Sequence, residues 1–252
     1  MGTEILRLPL APDAEYVEQL NLVGFRSKEV LFSRRLDSRT YFVQDFRPEK
    51  PESKPAPEQI ARQYAEEIMR RLEIPLAEVA QQRLVEEHTN AAQVDRSTGR
   101  LQSQKEQIGK GWFSVTRQID GLPVFSSRML LQVGDEHSIK FMELHWPEIP
   151  LTVVVEAHRL AYKVKAGWKP PNVEGAEPEA VDAGMIHSPA VGFVMDTYAA
   201  IRVIYRPLKA GVGKKTVLYL DRSGHPVAMP RQFAEPPKEE PRTKRESKVY
   251  AK

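Results

Sequence analysis

The chain has 252 residues, 41% of them hydrophobic and 28% charged, and its 37 lysines and arginines against 34 acids leave a net charge of +3. That length suits one large domain or two ordinary ones, with a composition typical of globular proteins. Basic residues are mixed among acids, without the basic stripe and interleaved aromatics that nucleic acid needs, and the absence of cysteine removes disulfides, thiolate nucleophiles and Cys-ligated zinc.

No run approaches the ~20 apolar residues of a membrane-spanning helix. Met1 to Leu10 is too polar for a signal peptide. The compartment stays open: extracytoplasmic if a leader has been removed, cytoplasmic otherwise.

Residues 1–50 read as an extended and hairpin segment. Glu15 to Val23 fits either a helical turn or a strand. Val30 to Arg35 and Thr40 to Phe46 form a hairpin around Leu36-Asp37-Ser38-Arg39. Arg47 to Pro57 carries four prolines and no large apolar side chain, the mark of an extended linker.

Pro57 to Ile74 is the clearest helix. Ile60, Ala61, Tyr64, Ala65, Ile68, Met69 and Leu72 fall on one stripe at helical spacing. Pro57 suits the first turn, and Pro75 forbids continuation. The stripe packs on a sheet or enters a partner's groove. Gln81 to Glu87 is a strand, and Asn90 to Gly109 reads as a long polar loop.

Three strands follow. In Trp112 to Ile119, Phe113 and Val115 alternate with Ser114 and Thr116; in Val124 to Val133, Phe125, Met129 and Leu131 alternate with Ser126, Arg128 and Gln132. Period-two alternation gives a sheet with one buried and one wetter face. Asp120-Gly121 supplies the turn between them. Ile139 to Trp146 is the third strand, and its apolar residues change parity, which predicts either a bulge near Phe141 or a strand covered on both faces.

Val155 to Lys165 is a second helix closed by Gly167, and Pro170 to Ser188 reads as a loop. Val191 to Tyr198, Ala200 to Tyr205, Thr216 to Asp221 and His225 to Met229 are further strands. From 231 to 252 the composition predicts a disordered, charged tail. Helix followed by strand–turn–strand–turn–strand thus occurs twice. This predicts two α+β modules, over 51–150 and 151–230, each a helix on an antiparallel sheet, although hairpins with polar turns also look alike by chance.

Arg117-Gln118-Ile119-Asp120-Gly121-Leu122-Pro123-Val124-Phe125, then Leu130-Leu131-Gln132-Val133 and a polar turn, resembles the PepSY and fungalysin/thermolysin-propeptide modules. The likeness covers about residues 57 to 147 well and 150 to 230 faintly. It implies a cystatin-like α+β fold without catalytic residues, acting as a propeptide, inhibitor, chaperone or interaction domain. Gly121 and Pro123 match as turn-formers.

The chemistry in the chain is sparse. None of the six histidines has the HExxH spacing of a zinc helix. Glu143 and His145 share a strand face and could meet a metal, although such a pair is more often a solvated or hydrogen-bonded surface; no metal and no cofactor is expected. Ala210 to Thr216 lacks the first glycine of a phosphate loop. Trp112, Trp146 and Trp168 pack at the edge of the core or anchor a partner. The expected function is a non-enzymatic protein-binding or assembly module, with Trp112, Arg117, Trp146, Trp168, Phe233 and Tyr250 as contact residues. Its alternatives are a stand-alone protease inhibitor or chaperone, and an unfamiliar enzyme using Glu143, His145 or Arg117.

Overall fold

A computed structural model describes residues 13–19, 22–36, 38–48, 56–94, 101–134, 138–189, 195–208 and 215–227. Its described strands are β1 Glu15–Gln19, β2 Leu22–Arg26, β3 Val30–Arg35, β4 Thr40–Asp45, β5 Val79–Val94, β6 Leu101–Ile119, β7 Leu122–Val133, β8 Ile139–His145, β9 Ala176–Pro189, β10 Met195–Pro207 and β11 Thr216–Leu220. Among the described residues two α-helices accompany them, α1 Glu58–Arg71 and α2 Leu151–Lys165, with a 3-10 turn at Leu76–Glu78.

The expectation of two cystatin-like units is overturned. All eleven strands join one mixed sheet, in the order β1-β2-β3-β4-β8-β7-β9-β10-β11, with β6 also on β7 and β5 outside β6. The two halves do not close separately because β7 is shared. Its Leu122–Leu131 span pairs with β6 along one edge, while its other edge carries β8 beside Arg128 to Val133 and β9 beside Val124. β8 is antiparallel to β7, and β9 is parallel to it at Val124↔Met185.

Local chemistry sets the elements. Asp120 and Gly121 both have positive φ (50° and 78°), which closes Ile119↔Leu122 with the two-residue turn that suits twisted hairpins. The predicted bulge is present. The register shifts where Gln132 pairs with Phe141 and Val133 with Ile139, so Lys140 is the extra residue.

α1 buries Ala61, Ala65, Ile68 and Met69, the predicted stripe, against Phe113, Val115, Met129, Leu131, Met142, Leu144 and Trp146. Each large apolar side chain in that contact contributes about 1.5–3 kcal/mol. The helix stops before Pro75. Glu73 takes a left-handed φ of 55°, and the Ile74 N–H returns to the Met69 carbonyl at 2.9 Å.

α2 buries Val154, Ala157 and Leu160 against β9 and β10, where Ile201, Val203 and Tyr205 are inaccessible to solvent. Gly167 (φ 91°) ends it as predicted, and the Trp168 N–H returns to the Lys163 carbonyl. Two expected loops are strands. Asn90 to Gly109 lies mostly in β5 and β6, and Pro170 to Ser188 contains most of β9.

Candidate functional site

β8 and β9 approach each other along one edge of β7 and meet end to end. His145, the last residue of β8, lies opposite Arg128, while Met185 of β9 lies opposite Val124. Between these rungs β7 bulges. Thr116 of β6 pairs with Arg128, but the next residue, Arg117, pairs with Val124, so Phe125, Ser126 and Ser127 have no counterpart on β6. Bulges re-aim side chains, and here the two serines face a buried polar seam.

His187 has its Nδ1 2.7 Å from Ser126 Oγ, which also accepts the His187 backbone N–H at 2.8 Å. His145 has its Nδ1 2.7 Å from Thr40 Oγ1. The two imidazoles touch edge to face, with centroids 5.2 Å apart and an interplanar angle of 86°. Both are buried, and the His187 Nε2 is sealed from water without a hydrogen-bond partner.

Beside them Arg117, itself 5% exposed, donates from Nε to Glu78 Oε2 at 2.7 Å and from Nη1 to the Pro147 carbonyl at 2.6 Å. Trp146 Nε1 donates to the same Glu78 oxygen at 3.0 Å, and the guanidinium lies over the Trp146 ring. Arg128 pairs with Glu143 at 3.2 Å.

Burial sets the charge state of the imidazoles. It pushes the His145 pKa down to about 3, with help from His187, Arg117, Arg35 and Arg128. Burial and then Arg117 push His187 down to about 4. Both rings are therefore neutral at ordinary pH.

A serine hydroxyl 2.7 Å from an imidazole is the pairing used by nucleophilic enzymes. Here Ser126 is 3% and His187 1% exposed, so no substrate carbonyl reaches the oxygen. The same oxygen is engaged by a backbone N–H. No group of three metal-ligating side chains occurs among the described residues, and the positive field of the arginines opposes a cation. The seam is built to join strands.

The predicted contact residues are dispersed. Arg117 and Trp146 lie in the interior, which takes them off the surface. Trp112 is half-buried, packed edge-on against Phe141 at 5.2 Å, and Trp168 packs on the core beneath α2. Phe233, Tyr250 and most of Ala210 to Thr216 lie outside the described residues. Glu143 serves Arg128, and His145 faces Thr40 and His187, so the strand spacing that suggested a shared metal leads to two separate hydrogen-bonded arrangements.

His187 and Thr40 escaped the sequence reading. The alternation Val181, Ala183, Met185, His187 is the signal that would have placed His187 on the inner face of a strand.

The molecular surface offers two further features. β5 and β6 remain paired from Val85↔Trp112 out to Val94↔Leu101, whereas β6 pairs with β7 only from Phe113 onward. This leaves a two-stranded ribbon about 30 Å long, at roughly 3.3 Å per residue, running past the rest of the sheet. On α2, Leu151, Val155 and Tyr162 are exposed along one side. No described helix is long and apolar enough to cross a membrane.

No protein-family model matches the chain, and no curated protein matches it. One solved structure, an uncharacterized protein from Eubacterium rectale ATCC 33656, aligns over 90% of this chain and 79% of its own, at 11% identity and a TM-score of 0.43. At that score the likeness carries no argument about fold or function.

Proposed function

We propose that this protein is a non-enzymatic protein-binding module whose main contact element is the β5–β6 ribbon. The observation that carries this reading is the ladder from Val85↔Trp112 to Val94↔Leu101, which has no third strand among the described residues. A lone two-stranded ribbon is marginally stable in water. Its outer edges carry backbone donors and acceptors that a partner strand satisfies. The exposed Leu151, Val155 and Tyr162 add apolar surface elsewhere. The sealed Ser126–His187 pair argues against the enzymatic alternative built on this seam.

The test is to replace residues 86–111 with an Asn-Gly turn joining Val85 to Trp112. The expected outcome is a protein that still melts cooperatively but loses its stoichiometric crosslinked partner from native extract. Recovery of the same partner at the same stoichiometry would overturn the reading. The partner's identity, protease or assembly subunit, then separates an inhibitor from a structural component.

A further inference from the structure

We propose that the His145–His187 contact is an acid-operated latch: protonation of the pair opens the junction of β8, β9 and the β7 bulge locally, while the core beneath α1 stays folded. The two imidazoles are in direct contact, buried, and supplied by the strand ends that meet there. A charge on either ring is without water, and charges on both repel across the 5.2 Å between centroids.

The surroundings oppose that charge from several sides. Arg35 of β3, Arg117 of β6 and Arg128 of β7 all act on His145, and Arg117 acts on His187. The neighbouring carboxylates already serve arginines, Glu78 with Arg117 and Glu143 with Arg128. Arg39 adds a further positive charge near Arg117. β4 contributes the neutral Thr40, and β10 places Thr197 opposite His187.

The junction is also narrow. The polar join of β9 to β7 is one parallel pair, Val124↔Met185, and two bonds to Ser126, beside the apolar contacts of Val124 with Met185 and of Phe125 with Ile186. The core beneath α1 is a cluster of its own, so it stands when the junction breaks, whereas Val154 and Ala157 of α2 pack with Val124 and Met185 across the junction and loosen with it.

A solvated histidine gains its proton near pH 6.5. In the closed seam the rings resist protonation down to about pH 4 for His187 and about pH 3 for His145. The closed form is therefore fully favoured above about pH 6.5 and loses ground as pH falls through that window, because only the open form takes up protons there. Two such protons raise the opening constant by up to about a hundredfold per pH unit, and one proton by about tenfold.

Hydrogen–deuterium exchange on the full chain between pH 6.5 and 4.5, corrected for intrinsic amide rates, tests the latch. Peptides covering 122–128 and 183–189 are expected to exchange between about tenfold and a hundredfold faster per pH unit of acidification. Peptides from α1 and from β3–β4 are expected to hold. In the His145→Gln, His187→Gln double variant the acid response of the seam should vanish. If that variant does not fold, the single His187→Gln variant removes one of the two protons and should cut the response to about tenfold per pH unit. The proposal fails if the seam shows no acid response, if the foldable variant keeps the parent's response, or if α1 and the seam lose protection together with the same slope.

Discussion

Gly184 has to be glycine because β9 crosses so close to β7. A Cβ there would run into the Pro123 carbonyl oxygen and come within 2.9 Å of the Phe125 ring. The obstacle is partly backbone, which cannot rotate away. Gly184→Ala should therefore cost about 1–3 kcal/mol, the usual range for overpacking, read as a lower urea midpoint with an unchanged slope. An unchanged midpoint would mean that β7 and β9 are not held at this separation.

Arg117 illustrates the same dependence on distant neighbours. From the sequence it reads as a contact residue for a partner, yet its own partners are Glu78, Ser127 and the Pro147 carbonyl, 39, 10 and 30 positions away. Sequence spacing cannot bring those together, so the residue was visible and its role was not. His145 was likewise visible as a candidate, while Thr40, 105 positions away, was not.

Elements were legible where burial is one-sided. α1 appeared because Ala61, Ala65 and Ile68 recur at helical spacing, and they are the residues that the structure buries. Ile68 is 2% exposed at the centre of that contact, so Ile68→Ala should destabilise by about 2–5 kcal/mol in thermal or urea unfolding. A loss below 1 kcal/mol would show that α1 is not seated on the sheet. β6 and β7 were found from Phe113 onward, where Phe113 and Val115 alternate with Ser114 and Thr116 and Met129 and Leu131 alternate with Arg128 and Gln132. Most of the ribbon was read as a loop because Asn90 to Gly109 is polar and shows no sustained alternation. β9 was missed because Pro178, Gly184 and several acids resemble loop composition, although the strand pairs with β10 along its length.

At the scale of the whole molecule, local signals predicted two separate modules and could not reveal their fusion. The strands beneath both helices run through one mixed sheet. That continuity depends on β7 accepting β8 and β9 along the same edge, a long-range arrangement with no periodic signature. The polar seam follows from it, since residues at two converging strand ends are enclosed and still need hydrogen-bond partners.

The shared edge also limits how the chain can vary in length. β8 and β9 arrive from opposite directions and leave only Phe125 to Ser127 between their last rungs. An extra residue just after His145 would push one strand end into the other. An extra residue in the β7–β8 connection, between Gly134 and Ser138, lies at the far end of the hairpin and leaves the encounter untouched. A single glycine inserted after His145 should thus lower the melting temperature well below that of the same insertion beside Gly134, and equal tolerance at both places would mean that the two strand ends do not abut.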